Sequence, residues 1–168
     1  MTMDPFFLWL ESTPFSVWIR ESTSVWAYPA ILSAHAIGMG LAAGINAAIA
    51  LHLLGVGRGI PTRELKRFIP IMWLGFWMNA ASGVLLLIAY PTKALTNPVF
   101  YLKMSLIALA IWILTVINRR IFRDPIRGND GPSPGPGFLA VASLACWAGA
   151  ITSGRLLAYT YTRLLATW

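Results

Sequence analysis

Residues 30–54 read AILSAHAIGMGLAAGINAAIALHLL. Apart from His35 and His52, nothing in this stretch is ionisable. About 20 apolar residues are enough to cross the hydrocarbon of a bilayer. A soluble helix would show a polar face at this length, and none is present. The stretch is therefore read as a membrane span, with Tyr28 at its start.

Three further apolar runs follow, so the expected spans are 28–54, 69–90, 99–122 and 138–159. Gly55, Gly57, Gly59 and Pro61 end the first. Asn97-Pro98 opens the third, with Asn suited to the cap and Pro to the first helical turn. Residues 124–137 are rich in Pro, Gly, Asn and Asp and read as a loop. Residues 5–20 are too polar and interrupted to cross. With Trp9, Trp18 and Trp26 they suit the headgroup layer, as one or two short helices lying on the membrane. Asp4 and the lack of a basic residue before Phe6-Phe7-Leu8 give the expectation of no cleavable signal peptide. The expected fold is all-α: a four-helix transmembrane bundle, one domain over 1–168, with an interfacial segment over 1–26.

Composition agrees. Of 168 residues, 57% are hydrophobic and 11% charged, with mean hydropathy +0.66. A soluble surface would need about 25% charged residues. The net charge of +7 does not point to nucleic acid, because the basic residues gather in two loops. Arg58, Arg63, Lys66 and Arg67 follow the first span; Arg119, Arg120 and Arg123 follow the third. Excess Lys and Arg marks cytoplasmic loops. The expected location is the bacterial inner membrane, with both termini on the periplasmic side. Cys146 stands alone, so neither an internal disulfide nor a Cys-rich metal site is available.

Three spans carry an ionisable residue near the same end. At ~1.5 Å per residue, His35 lies roughly 10–12 Å below the outer boundary, Lys103 roughly 6–8 Å and Arg155 roughly 6 Å. Charges at membrane depth are costly and usually face a bundle interior. A shared site of His35, Lys103 and Arg155 is the expectation, with Asn79 and Asn97 as further members. Snorkelling of each cation to the headgroups is the plain alternative for Lys103 and Arg155. For His35 the alternative is a core histidine bonded to a carbonyl or to Asn79. No Asp or Glu lies in any span, which argues against a carboxylate-based pump. His52 lies seventeen residues beyond His35, roughly 25 Å away, so the two cannot share one metal or haem. Asn46 returns to nearly the face of His35 and could extend a polar stripe inward. Gly75, Asn79, Ser82, Gly83 and Leu86 recur at helical spacing as a packing face, and Gly40 with Gly44 forms a GxxxG that can bring another helix backbone close.

No phosphate loop, paired carboxylates or zinc pair is present, and an enzyme acting alone is the weakest reading. A haem b would take His35 as one axial ligand (the metal reading of His35). Met104, Met78 or nothing would be the other, with Lys103 and Arg155 on the propionates. A quinone is the other cofactor expected. The first functional reading is an electron-transfer or anchor subunit with a haem- or quinone-type site. A small permease or copper-type metal-handling protein is the second. A ligand-free structural subunit, forming a homo- or hetero-oligomer through Gly40 and Gly44, is the third.

The residues also carry a resemblance. Trp9, Glu11-Ser-Thr-Pro14, Ala34-His35-Ala36-Ile37, Leu53-Leu54-Gly55, Asn97-Pro98-Val99-Phe100-Tyr101-Leu102-Lys103-Met104 and Gly154-Arg155 are similar to an uncharacterised family of bacterial four-span membrane proteins. The Asn-Pro-x-Phe-x-x-Lys-Met string is the most specific of these, and the similarity covers almost the whole chain. Members usually carry arginine where this chain has His52, so the resemblance implies no shared role for His52. It implies the four-span fold and no function. In topology the chain is similar to copper-resistance D-type membrane domains and small cytochrome b-type anchors, an analogy of fold alone.

Overall fold

The computed structural model describes residues 5–57, 59, 61–119 and 134–165. The described residues form helices and contain no strand. Four of the helices are long and apolar enough to cross a membrane, and the chain is a multi-pass membrane protein with an all-α bundle.

Two short helices come first, α1 (Pro5–Glu11) and α2 (Pro14–Glu21). Thr13 caps α2, its side chain accepting from the Ser16 N–H, and Pro14 takes the first turn, where a missing N–H costs nothing. They are pinned to the bundle. The Ser16 hydroxyl donates to Ile88 O at 3.1 Å. Arg20 donates to Ala89 O at 3.1 Å and to Glu11 O at 2.9 Å. Ser16 and Ile19 are completely buried.

The first span is α3 (Tyr28–Leu53). It ends where Gly55 and Gly57 adopt positive φ of 99° and 71°, a conformation that L side chains rarely hold. Gly55 N–H then donates to His52 O, and Val56 N–H to Leu51 O, satisfying carbonyls that the helix end leaves open. A short α4 (Thr62–Leu65) and one 3-10 turn (Lys66–Phe68) lead into α5 (Ile69–Ala89).

The stretch from Pro91, between the second and third expected spans, is helical as α6 (Pro91–Leu95). Pro91 takes its first turn, and Glu11 Oε1 accepts from the Thr92 N–H at 3.2 Å, satisfying a donor that the helix start leaves open. Asn97 caps α7 (Pro98–Ile117) as expected, its Oδ1 accepting from Val99 N–H at 3.0 Å. The expected end of this span at Phe122, and the basic residues Arg120 and Arg123, fall outside the described residues. The last helix, α8 (Pro134–Leu165), starts earlier than expected. Pro134 and Pro136 sit in its first turn, which tolerates them, so part of the expected loop is helix.

α3 packs on α5 and α8, and α7 packs on α8. The α3–α5 contact is the tightest. A Cβ on Gly38 would lie 2.6 Å from Asn79 N and 2.7 Å from Gly75 O, and one on Gly75 would lie 2.5 Å from Leu41 Cβ. Gly40 and Gly44 do not make this contact: a Cβ on either meets nothing within 4 Å. Their face stays open. The core joins Ala42 and Ile49 of α3, Met72 of α5, Ile113 and Leu114 of α7, and Trp147 of α8. Large apolar side chains such as Leu74, Trp77 and Trp112 point outward, as a lipid-facing surface requires.

Candidate functional site

The site lies at the end of the bundle where α3 and α7 begin, α5 ends and α6 crosses. A cavity of about 360 Å³ is bounded there by all four spans and α6. His35 comes from α3, Gly83 and Leu86 from α5, Lys93 from α6, Lys103 from α7 and Gly154 from α8. Its size falls within the ~300–1,000 Å³ usual for small-molecule sites.

His35 is held by the α3–α5 contact. Its Nδ1 lies 3.1 Å from Asn79 O and 3.1 Å from Ser82 Oγ. Asn79 answers by donating Nδ2–H to His35 O at 2.7 Å. A carbonyl oxygen only accepts, and Ser82 spends its one proton on Met78 O at 2.7 Å. The network therefore assigns the shared proton to Nδ1, and in the neutral ring Nε2 keeps its lone pair. No described residue hydrogen-bonds Nε2, and the ring lines the cavity. Gly83 explains the close fit: a Cβ there would stand 3.3 Å from His35 Cε1.

Lys103 enters from α7 and lies along α8. A Cβ on Gly154 would meet its Cδ, Cε and Nζ at 3.7–3.8 Å. No described acid or carbonyl partners its ammonium. Lys103 and His35 thus line one cavity, a donor and an acceptor, together with Tyr28, Tyr90 and Lys93 among apolar residues.

The other expected members are placed differently. Arg155 is exposed and lines only the outer α3/α8 groove. Asn79 positions His35 rather than lining the cavity, and Asn97 is a helix cap. Met104 faces outward, 49% exposed, and lines neither space. The single residue step along the helix from Lys103 to Met104 rotates the side chain by about 100°, which carries it to the outer surface. Met78 and His52 also line neither space. Asn46 does not extend the cavity. It is 1% exposed and bonds Met72 Sδ at 3.3 Å and the Ser143 hydroxyl at 3.3 Å, tying three spans together.

For a metal, His35 Nε2 is one ligand, and among the described residues no three His, Cys, Asp or Glu side chains converge. For a haem, the cavity offers that one nitrogen and no sulfur from Met78 or Met104. For a neutral group with carbonyl or hydroxyl oxygens, it offers the His35 nitrogen as acceptor and two cationic side chains, Lys103 and Lys93, in its lining. Ser82 is the site residue whose role was hidden in the sequence. Its spacing of one turn from Asn79 marked a packing stripe, and the same stripe also holds the histidine.

No family model, no curated protein and no solved structure matches the chain.

Proposed function

We propose that the chain is a subunit of the bacterial inner membrane that binds a quinone-type head group in the His35–Lys103 cavity and serves electron transfer as an anchor. The observation that carries this is that the free Nε2 lone pair of His35 and the unpartnered Lys103 ammonium line one cavity. A quinone, when bound, supplies two-electron, two-proton redox chemistry. His35 Nε2 would accept a hydrogen bond from a hydroxyl of the reduced quinol form and would be the group to take its proton, while Asn79 O accepts from the Nδ1–H and holds the ring. Lys103 would donate to a quinone oxygen. Tyr28, Tyr90 and Phe100 line the same cavity and offer aromatic walls for a flat ring.

The basic loops support an orientation: Arg63, Lys66 and Arg67 stand at the opposite end from the cavity, which favours a cavity in the periplasmic half and termini on the periplasmic side. Partner subunits supply the electron donor or acceptor.

The test is equilibrium binding of short-chain quinones to the detergent-purified protein, with His35→Ala and Lys103→Met beside the wild type. Saturable binding lost by about tenfold or more in both variants is expected, since each loss of a hydrogen bond to a charged or buried group costs ~1.5–3 kcal/mol. No saturable binding overturns the reading. An oxidised and dithionite-reduced absorption spectrum belongs beside it. A Soret band that disappears in His35→Ala would replace quinone with haem.

A further inference from the structure

The cavity is open on the α3/α8 side. Leu32, His35, Lys103 and Gly154 line it and also line a second space of about 930 Å³. This second space is a furrow along the outer seam of α3 and α8. It follows α3 from Leu32 to Ala47, roughly 22 Å at ~1.5 Å per residue. Its floor is Ala36, Gly40, Ala43, Gly44 and Ala47; its far wall is Leu144, Trp147, Ala148 and Ile151. Apart from Ser33, His35, Lys103 and Arg155 at its head, the lining is apolar except for the Trp147 indole.

Small residues alone would serve equally well to dock a helix. The connection to the cavity points to a ligand instead: the furrow does not end blindly, and its head is the wall of the polar cavity. A second copy docked on the same face fits poorly. An isologous contact places equal patches together, so Lys103 and Arg155 of both copies would meet with no acid between them.

We infer that the α3/α8 furrow holds the isoprenoid tail of the quinone-type ligand and is its sideways entrance from the bilayer. The head passes between His35 and Lys103 into the cavity, and the tail stays along Gly40 and Gly44. This rests on the quinone reading of the cavity. Gly40 and Gly44 are glycine here because any larger side chain would fill the furrow, not because a helix of this chain presses on them.

The test compares two probes on the full-length protein in nanodiscs: tail-free benzoquinone and naphthoquinone heads, and the same heads carrying a decyl tail. Quenching of tryptophan fluorescence reports binding. In the wild type the tail should improve affinity, referred to the probe's concentration in the lipid, by about tenfold, through packing against the fixed walls of the furrow. Gly44→Leu should remove that gain and leave the tail-free probe unchanged. Ala148→Phe, which narrows the furrow from the exposed α8 side, should do the same and does not depend on Gly44→Leu folding. If neither probe binds the wild type, the quinone reading falls and takes the tail site with it. If both bind and the tail adds nothing, or the furrow variants still bind the tailed probe normally, the tail site alone falls. If Gly44→Leu changes the particle mass by light scattering while tailed binding is intact, the furrow is an interface between copies and the inference is overturned.

Discussion

Gly38→Ala tests the packing that holds the site. The new methyl would stand 2.6 Å from Asn79 N and 2.7 Å from Gly75 O, both backbone atoms that cannot turn away. Reaching the 3.4 Å of ordinary contact needs the helices to separate by about 0.8 Å. That movement would stretch the 2.7 Å bond from Asn79 Nδ2 to His35 O, and the 3.1 Å contact from His35 Nδ1 to Asn79 O, beyond useful length. Overpacking costs ~1–3 kcal/mol and each interhelical hydrogen bond in a membrane is worth ~0.6 kcal/mol, so a loss of about 2–4 kcal/mol is expected. The assay is unfolding by SDS titration in mixed micelles, followed by far-ultraviolet circular dichroism. Gly40→Ala is the control: nothing lies within 4 Å of its new methyl, and its effect should stay within about 0.5 kcal/mol. If the two variants unfold alike, or if Gly40→Ala is the more damaging, the helix contact described here is wrong.

Three further outcomes follow from the same geometry. Asn97→Ala removes the cap of α7 and should cost ~1 kcal/mol in the same titration, with Asn97→Asp recovering most of it. Arg20→Met removes the links to Ala89 O and Glu11 O, so amide exchange should speed up across residues 5–21 while the spans keep their protection. Asn46→Leu breaks the Met72 and Ser143 contacts but touches neither cavity, so it should change stability by ~1 kcal/mol or less and leave quinone binding as it was.

The spans were legible because bilayer thickness imposes a length and a composition on each one. α3 and α5 begin at Tyr28 and Ile69 as expected, and the Asn97 cap falls where the residue type puts it. What sequence could not reveal depends on residues far apart in the chain. The Glu11–Thr92 and Arg20–Ala89 contacts fasten α1 and α2 to the end of α5 and the start of α6, and no local pattern encodes them. The GxxxG signal marked the right helix but the wrong glycines for internal packing. Gly38, two residues before Gly40, meets Gly75 because the rotation of α3 about its axis is set by the partner helix, which periodicity alone does not supply.

The site divides in the same way. Depth along the spans brought His35 and Lys103 to one level, and they do share a cavity. Depth says nothing about rotation, and rotation separates the rest: Arg155 turns to the outer groove and Met104 to the outer surface. The Gly154-Arg155 pair illustrates the difference. Gly154 gives the Lys103 side chain room to lie against α8, while its neighbour faces away from the cavity.

The most direct measurement is photolabelling of the membrane-embedded protein with an azido-quinone, followed by peptide mapping. The account predicts label confined to the start of α3 around His35, the end of α5 around Gly83 to Tyr90, and the start of α7 around Phe100 to Lys103, competed by unlabelled quinone and lost in Lys103→Met. Label at the opposite end near His52, or label that excess quinone does not displace, would contradict it.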